Sequence, residues 1–133
     1  MKGLIVHQGK VLILRESGNY SDGVNRSKYG VPGGRMNPGE RFDECLQREV
    51  MEEAGLKITI GRPFFVSEWR PLVRGEQWQI TGIFFECFSE TDNVVLSSDH
   101  DDFQWIFPQE YKKYNIVDNE HPVFEAYLKL SIK

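Results

Sequence analysis

The sequence has few cysteines, no excess of positive charge and no long hydrophobic run. Its two cysteines, Cys45 and Cys87, form no CxxC pair, which argues against a zinc knuckle or a redox dithiol and predicts buried free thiols in a reducing compartment. The net charge of −4 gives no global basic field, so nucleic acid and anionic membranes are not expected as partners. No apolar run approaches the roughly 18 residues that a membrane span needs, and residues 1–10 do not read as a signal peptide. We therefore expect a cytoplasmic protein.

The residues that are present are typical of an ordinary globular protein. Hydrophobic residues make up 40% of the chain and charged residues 27%, far from the composition of disordered segments. A chain of 133 residues can bury roughly two-thirds of its unfolded surface on folding. We expect residues 1–133 to form a single domain, as a monomer or a homodimer.

Hydrophobic periodicity predicts a hairpin and a helix in the first half of the chain. Short apolar runs at 4–6 and 11–14 flank the turn signal HQGK, which is the pattern of a hairpin. The polar composition of residues 17–28 predicts a functional loop. Residues 41–54 have a period near 3.6 and predict a helix, with Gly55 as its left-handed C-cap and a strand over 56–60.

The second half of the chain has strand patterns followed by a short helix. The segment QITGIFFECF is dense in Ile and Phe and predicts a central strand. An acidic loop, SSDHDDF, is expected before the apolar residues 105–107. In HPVFEAYLKL, Pro122 suits the first turn of a helix whose Phe124, Tyr127 and Leu128 face inward.

Three carboxylates share one face of the predicted helix over 41–54. Glu49, Glu52 and Glu53 are spaced i, i+3 and i+4, beside an apolar stripe that would dock the helix on a sheet: Phe42, Leu46, Val50 and Ala54. Like charges this close repel unless a cation lies among them, and Mg²⁺ is held by a few carboxylates, waters and substrate phosphates. A solvated acidic face is the alternative. The adjacent pair Gly33-Gly34 favours a site, because it lets the backbone approach the helix and offer a carbonyl ligand.

These residues lie within a longer motif. The segment GRMNPGERFDECLQREVMEEAGL, residues 34–56, matches every constrained position of the Nudix box: Gly, five residues, Glu, seven residues, Arg-Glu, an aliphatic, any residue, Glu-Glu, any residue, Gly, an aliphatic. The chain therefore resembles the Nudix hydrolases, and GKVLILRE, KYGVPGGR and SDHDDFQWI are similar to their flanking elements. The resemblance implies an α+β Nudix fold with a mixed β-sheet sandwiched between α-helices. It also implies hydrolysis of a diphosphate linkage in a nucleoside triphosphate or another nucleoside diphosphate derivative.

The resemblance also implies roles for individual residues. The implied metal ligands are three side chains and one backbone carbonyl: Glu49, Glu52, Glu53 and Gly33. Arg48 matches the arginine that orients the carboxylates, and Glu40 matches the first glutamate of the box, in a more structural role. Mg²⁺ is the implied cofactor, with Mn²⁺ able to substitute; such an ion neutralises the pyrophosphate and lowers the pKa of a bound water.

The general base and the substrate contacts stay open at this point. Glu52 and Glu53 are the first candidates for the base. Acidic-loop residues are further candidates, with Asp99 the closest match to relatives: Asp99, His100, Asp101 and Asp102. Arg15 is the first candidate for binding substrate, followed by other cations and by aromatics that could stack on a base: Arg26, Lys28, Arg70, Arg74, Tyr20, Trp69 and Trp78. Each of these residues could also be an ordinary surface or core residue with no part in binding.

Three readings of the function remain. The length of the chain resembles that of MutT-type nucleotide hydrolases. Pro71, fifteen residues beyond the box, lies where ADP-ribose hydrolases often have proline, so an ADP-ribose or nucleotide-sugar hydrolase is an alternative. A nucleotide-sensing module that binds without turnover is another, although such modules usually have an eroded box. For an enzyme, we expect an activity optimum above neutrality.

Overall fold

The computed structural model describes residues 1–20 and 23–130, so two positions of the predicted loop, 21 and 22, lie outside the described residues. The described chain has these strands: β1 Lys2–His7, β2 Lys10–Glu16, β3 Tyr29–Gly30, β4 Thr59–Trp69, β5 Leu72–Val73, β6 Glu76–Gln77, β7 Ile80–Phe88 and β8 His100–Ile106. Its α-helices are α1 Phe42–Ala54 and α2 His121–Leu130, and 3₁₀ helices cover Pro108–Lys113 and Asp118–Glu120.

The main sheet is mixed. Its order is β3-β2-β1-β7-β4, with β8 along the other edge of β2. Strand β1 runs parallel to β7, whereas the other pairings are antiparallel. The predicted hairpin is confirmed, with Val6 opposite Val11 and positive φ at Gln8 and Gly9 in the turn. The strand predicted in QITGIFFECF is confirmed as β7, between β1 and β4.

The two α-helices cover opposite faces of this sheet. Helix α1 packs Leu46, Val50 and Ala54 onto one core, which includes Ile5, Leu12, Leu14, Phe85 and the free thiol Cys87. Helix α2 packs Val123 and Phe124 onto the other core, with Leu4, Ile13, Phe84 and Ile106. Tyr127 and Leu128 pack against the same core, as predicted. The predicted α+β sandwich is therefore confirmed.

Helix α1 begins and ends as predicted, with one exception on its apolar stripe. Arg41 is the N-cap, and Gly55 ends the helix with φ +67 and a backbone N–H donated to the Met51 carbonyl. Phe42 was expected to be buried but is 45% exposed, and its ring stacks on Phe85. Cys45 is fully buried in this turn of the helix.

Two predicted boundaries were wrong. The strand expected over 56–60 begins at Thr59 and continues to Trp69, because Leu56 is buried in the α1 core before the strand starts. The acidic loop ends at Asp99, and His100–Ile106 pairs with β2 as β8. Phe103 and Trp105 pack toward the α1 core, and Ile106 packs toward the α2 core. This alternation keeps the segment extended as a strand despite its acidic residues. No α-helix in the described ranges is long and apolar enough to cross a membrane.

Candidate active site

Arg48 lies among the carboxylates of the α1 acidic face. Its Nε and Nη2 donate to Glu40 at 2.7 and 2.9 Å, and its Nη1 donates to Glu49 at 2.9 Å. The same Nη1 approaches Glu52 at 3.4 Å, and Nη2 also donates to the Arg35 carbonyl at 3.1 Å. These residues, Glu40, Arg48, Glu49 and Glu52, form what we call the Arg48 cluster. Hydrogen bonds from Arg48 lower the pKa of Glu40 to about 2, so this carboxylate stays ionised.

Glu53 lies in a different environment from its neighbour Glu52. The Glu53 side chain is 17% exposed, whereas that of Glu52 is 57% exposed. Its Oε1 accepts the Gly33 N–H at 2.8 Å, and its Oε2 lies 3.8 Å from Nε2 of His100. Burial raises the pKa of Glu53 to about 7, although the charge of Lys2 and the bond from Gly33 act in the opposite direction. Glu53 can therefore exchange a proton near neutrality.

The glycine pair before the box allows α1 and β1 to approach each other. Gly33 has φ +149, and a Cβ there would collide with the backbone of Met1 and Lys2. A Cβ on Gly34 would collide with the Glu49 carboxylate. Lys2 and Gly33 pair in a short antiparallel β-bridge. In this bridge the Gly3 N–H donates to the Pro32 carbonyl, and the Gly34 N–H donates to the Met1 carbonyl. Since this bridge does not use the Gly33 carbonyl, that oxygen is left for another partner.

The chemistry of these groups suits a hard cation. The side chains of Glu49, Glu52 and Glu53 and the Gly33 carbonyl offer oxygen donors, which Mg²⁺ and Mn²⁺ prefer. Within the described residues, no three His, Cys, Asp or Glu side chains are grouped closely enough to hold a metal ion. Glu49 and Glu52 face Arg48, whereas Glu53 faces Gly33. Binding of one ion by all three carboxylates therefore requires Glu49 and Glu52 to turn from Arg48.

A cavity of about 80 Å³ adjoins Glu53 and His100. Charged side chains from distant parts of the sequence line it: Lys2, Glu16, Lys28 and Glu120. Glu120 is buried, accepts the Val31 N–H at 2.8 Å and lies 3.7 Å from the Lys2 ammonium. Sequence reasoning did not single out Lys2, Glu16 or Glu120, because Lys2 and Glu120 lie in no quoted motif and Glu16 only ends the segment GKVLILRE. The signal that could have identified Glu120 is its position immediately before the predicted C-terminal helix.

The predicted loop acids are directed to different partners. Asp101 accepts a hydrogen bond from Arg15 at 2.6 Å, and Asp102 accepts one from the Tyr29 hydroxyl. The backbone carbonyl of Asp99 accepts the Ser17 N–H at 2.8 Å. His100, the next residue, lines the cavity beside Glu53. A catalytic role for Asp99 stays a prediction.

The predicted substrate-binding cations and aromatics are spread over the surface around the site. Arg15 donates a hydrogen bond to Asp101. Its neighbours Leu14 and Glu16 line the cavity, so the alternation of a strand directs the Arg15 side chain to the opposite face. The role of Arg15 in substrate binding stays a prediction. Lys28 lines the cavity. The remaining candidates have these neighbours: Arg26 the Gly18 carbonyl, Arg70 the Glu68 carboxylate, Trp69 the backbone of Gly82, and Trp78 the Arg35 guanidinium at 4.7 Å. Arg74 lies in the turn between β5 and β6, and Tyr20 is partly exposed.

Comparison with known proteins links this geometry to a family. A model of the NUDIX domain matches residues 3–127. The nucleoside triphosphatase NudI of Escherichia fergusonii is 28% identical over 120 residues, and that of Salmonella arizonae is 27% identical over 123 residues. Each of these alignments covers 85% of this chain and 84% of the relative. The crystal structure of a MutT protein from Methanosarcina mazei Go1 has the same fold, with a TM-score of 0.78, 23% identity and coverage of 99% of this chain and 93% of that one.

Proposed function

The chain belongs to the Nudix hydrolase family, and we propose that it is a metal-dependent pyrophosphohydrolase that cleaves the diphosphate linkage of a nucleoside triphosphate or a related nucleoside diphosphate derivative. The observation that carries this proposal is the arrangement of the box. Three glutamates lie on one face of α1, two of them, Glu49 and Glu53, adjoin the Gly33-Gly34 turn, and Glu53 borders a polar cavity with its pKa raised to about 7 by burial. The relatives named nucleoside triphosphatases favour a triphosphate as the first substrate class to test.

In this proposal the residues of the box either hold the divalent ion or position the groups that hold it. Glu49, Glu52, Glu53 and the Gly33 carbonyl hold the divalent ion, which supplies charge neutralisation of the pyrophosphate and a water of lowered pKa. Arg48 orients Glu49 and Glu52, which turn from it to bind the ion, and Glu40 fixes Arg48 through two hydrogen bonds. These assignments extend the resemblance read from residues 34–56.

Glu53 is our first choice for the general base. A base works best when its pKa is near the working pH, and burial brings the pKa of Glu53 to about 7. This value describes Glu53 before the ion binds, so protons and the divalent ion compete for its carboxylate, and we expect the apparent affinity for the ion to weaken as pH falls through neutrality. Asp99 is the competing candidate, and an Asp99→Asn variant with wild-type activity would leave Glu53 as the stronger assignment.

The remaining parts of the proposal concern the whole chain. We propose that residues 1–133 act as one Nudix domain in the cytoplasm, as a monomer or homodimer, on a small nucleotide and without nucleic acid or a membrane as partner. Size-exclusion chromatography with light scattering tests the oligomeric state. A homogeneous trimer or larger species would contradict it.

A panel of phosphate compounds tests the function. The panel contains nucleoside triphosphates, nucleotide sugars and ADP-ribose, each incubated with Mg²⁺ while released phosphate or pyrophosphate is measured. We expect hydrolysis of a triphosphate, loss of activity with a chelator, and recovery with Mn²⁺. Full activity after exhaustive chelation would refute the metal-dependent mechanism. Ligand binding without hydrolysis, even with Mn²⁺, would favour a nucleotide-sensing module instead.

A further inference from the structure

Residues 70–79 form a short arm between β4 and β7, outside the main sheet. Strands β5 and β6 make a separate two-stranded sheet in this arm, and positive φ at Arg74 and Gly75 forms the turn between them. The Trp78 N–H donates to the Pro71 carbonyl at 3.0 Å, which continues the pairing toward the main sheet. Trp78 is therefore carried by a regular hairpin.

The arm contacts the box through a stack between Trp78 and Arg35. The Arg35 guanidinium lies over the Trp78 ring, with its Cζ atom 4.7 Å from the ring centroid. Arg35 follows Gly34, the first residue of the box. A guanidinium is attracted to an indole face because it is planar, cationic and weakly hydrated. The stack therefore restrains the start of the box.

The backbone of Arg35 belongs to the contacts of the Arg48 cluster. Its carbonyl accepts a hydrogen bond from Nη2 of Arg48 at 3.1 Å. Nε and Nη2 of Arg48 also donate to Glu40. These bonds anchor one side of the guanidinium, while Nη1 on the other side faces Glu49 and Glu52. Arg35 therefore connects the arm to the arginine that orients two of the proposed metal ligands.

The anchoring of Arg48 affects how readily an ion can bind. Glu49 and Glu52 must turn from Arg48 to reach the ion, so ion binding is favoured when Arg48 stays in its place. A loosely held arginine can follow the carboxylates and continue to compete with the ion, because both cations bind the same oxygens. A restraint on Arg35 therefore favours the ion by keeping Arg48 anchored.

We propose that Trp78 is a positioning residue of the metal site, which acts by restraining Arg35 and, through the Arg35 carbonyl, Arg48. This task differs from stacking on a nucleobase, the role that the sequence suggested for Trp78, and Arg35 already lies over its ring. The inference rests on the proposed metal-dependent function. Its test therefore includes binding of the ion without substrate or turnover.

Calorimetric titration of the metal-free protein with Mn²⁺ measures the effect directly. We expect Trp78→Leu to weaken Mn²⁺ affinity by about threefold, the size of one exposed cation–π contact. Trp78→Phe keeps an aromatic face and should stay within about 1.5-fold of the wild type. With saturating Mn²⁺, the KM for the substrate should not change in Trp78→Leu. Phe107→Leu, which removes an exposed ring beside Lys10 at 5.2 Å, is the matched control and should keep Mn²⁺ affinity.

A double-mutant cycle tests the route through Arg35. Arg35→Met removes the guanidinium, so adding Trp78→Leu to it should weaken Mn²⁺ affinity no further. An equal loss in both backgrounds would overturn the inference, because Trp78 would then act independently of Arg35. Wild-type Mn²⁺ affinity in Trp78→Leu would also overturn it, and a raised substrate KM in that variant would indicate stacking on the base instead.

The same measurements separate this inference from the proposed function. Coupled effects of Trp78→Leu and Arg35→Met on Mn²⁺ affinity, without hydrolysis of any compound in the panel, would overturn the proposed function alone. Metal-dependent hydrolysis without this coupling would overturn the inference alone. A protein that binds no Mn²⁺ would overturn both.

Discussion

The adjacent residues Glu52 and Glu53 belong to two regions that balance negative charge in different ways. In the Arg48 cluster, three carboxylates of the box share ion pairs with one arginine of α1. In the cavity, Glu53 and Glu120 are shielded from water and meet Lys2, His100 and backbone N–H groups from distant parts of the sequence. The first arrangement lowers the pKa of Glu40, whereas the second raises the pKa of Glu53. The comparison shows that carboxylates of one motif can be suited to different chemical tasks.

The largest expected effect is on catalysis. Glu53→Gln keeps the size of the side chain and an acceptor for Gly33, but removes a charge and the proposed base. We expect turnover to fall by about 1000-fold, with a comparable loss for Glu49→Gln and Glu52→Gln as metal ligands. The measurement is kcat on the best substrate of the panel at saturating Mg²⁺. Glu110→Gln, a change at an exposed pair with Lys113, is the control and should keep kcat. Near-normal rates in all three box variants would show that the metal site is misplaced.

The second prediction concerns stability in the cavity. Because the pKa of Glu53 is raised to about 7 from an ordinary value of 4.5, the folded protein holds this proton more tightly than the unfolded chain does. Stability is therefore lost as pH rises from 4.5 through 7. We expect Glu53→Gln to raise the free energy of unfolding by about 3 kcal/mol at pH 8 and by little at pH 4.

Urea unfolding in the presence of a chelator measures this difference without a contribution from metal binding. Glu110→Gln, the same change at an exposed site, should show no gain between pH 4 and pH 8. A destabilisation by Glu53→Gln that is equal at both pH values would contradict the raised pKa.

The third prediction concerns the Arg48 cluster, where the pH dependence has the opposite sign. The pKa of Glu40 is lowered to about 2, so its bonds to Arg48 stabilise the fold above 4.5, and this contribution is lost as pH falls toward 2. Arg48→Met should therefore lower Tm most at neutral pH and progressively less in acid. Arg70→Met, at an exposed arginine, should lower Tm less at pH 7. A Tm difference for Arg48→Met that grows in acid would contradict this sign.

The smallest effect is expected at Glu52. Its side chain is largely exposed and its contact with Arg48 is long, at 3.4 Å. Glu52→Gln should change the free energy of unfolding by less than about 0.5 kcal/mol at pH 7. Together with the gain expected for Glu53→Gln, this would show that burial, rather than membership of the motif, distinguishes the two glutamates. A loss of stability as large as that caused by Arg48→Met would instead show that Glu52 contributes substantially to the stability of the cluster.

Local patterns were sufficient for the elements next to the box. The period of residues 41–54, the glycine at 55 and the turn signal HQGK each depend on neighbours within a few positions, and each was confirmed. The prediction of Phe42 as a core residue failed because its ring, although stacked on Phe85, lines a groove that is open to solvent. Strand β8 was taken for a loop because its acidic residues hide an alternation that β2 and the two cores enforce.

By itself, the sequence determined the family, through the match of residues 34–56 to the Nudix box, and with it an expected place for Arg48 among the carboxylates. It also determined the helix that presents the glutamates, because the spacing of a helix places residues three and four apart on one face. The tertiary structure alone decided that Glu53 is buried while Glu52 is exposed. It also decided that Lys2, His100 and Glu120 meet beside Glu53. These contacts join β1, α1, β8 and the 3₁₀ helix before α2, whose separations along the chain leave no local periodicity. Burial and its effect on pKa arise only when the sheet brings such segments together, since both depend on what excludes water from the group.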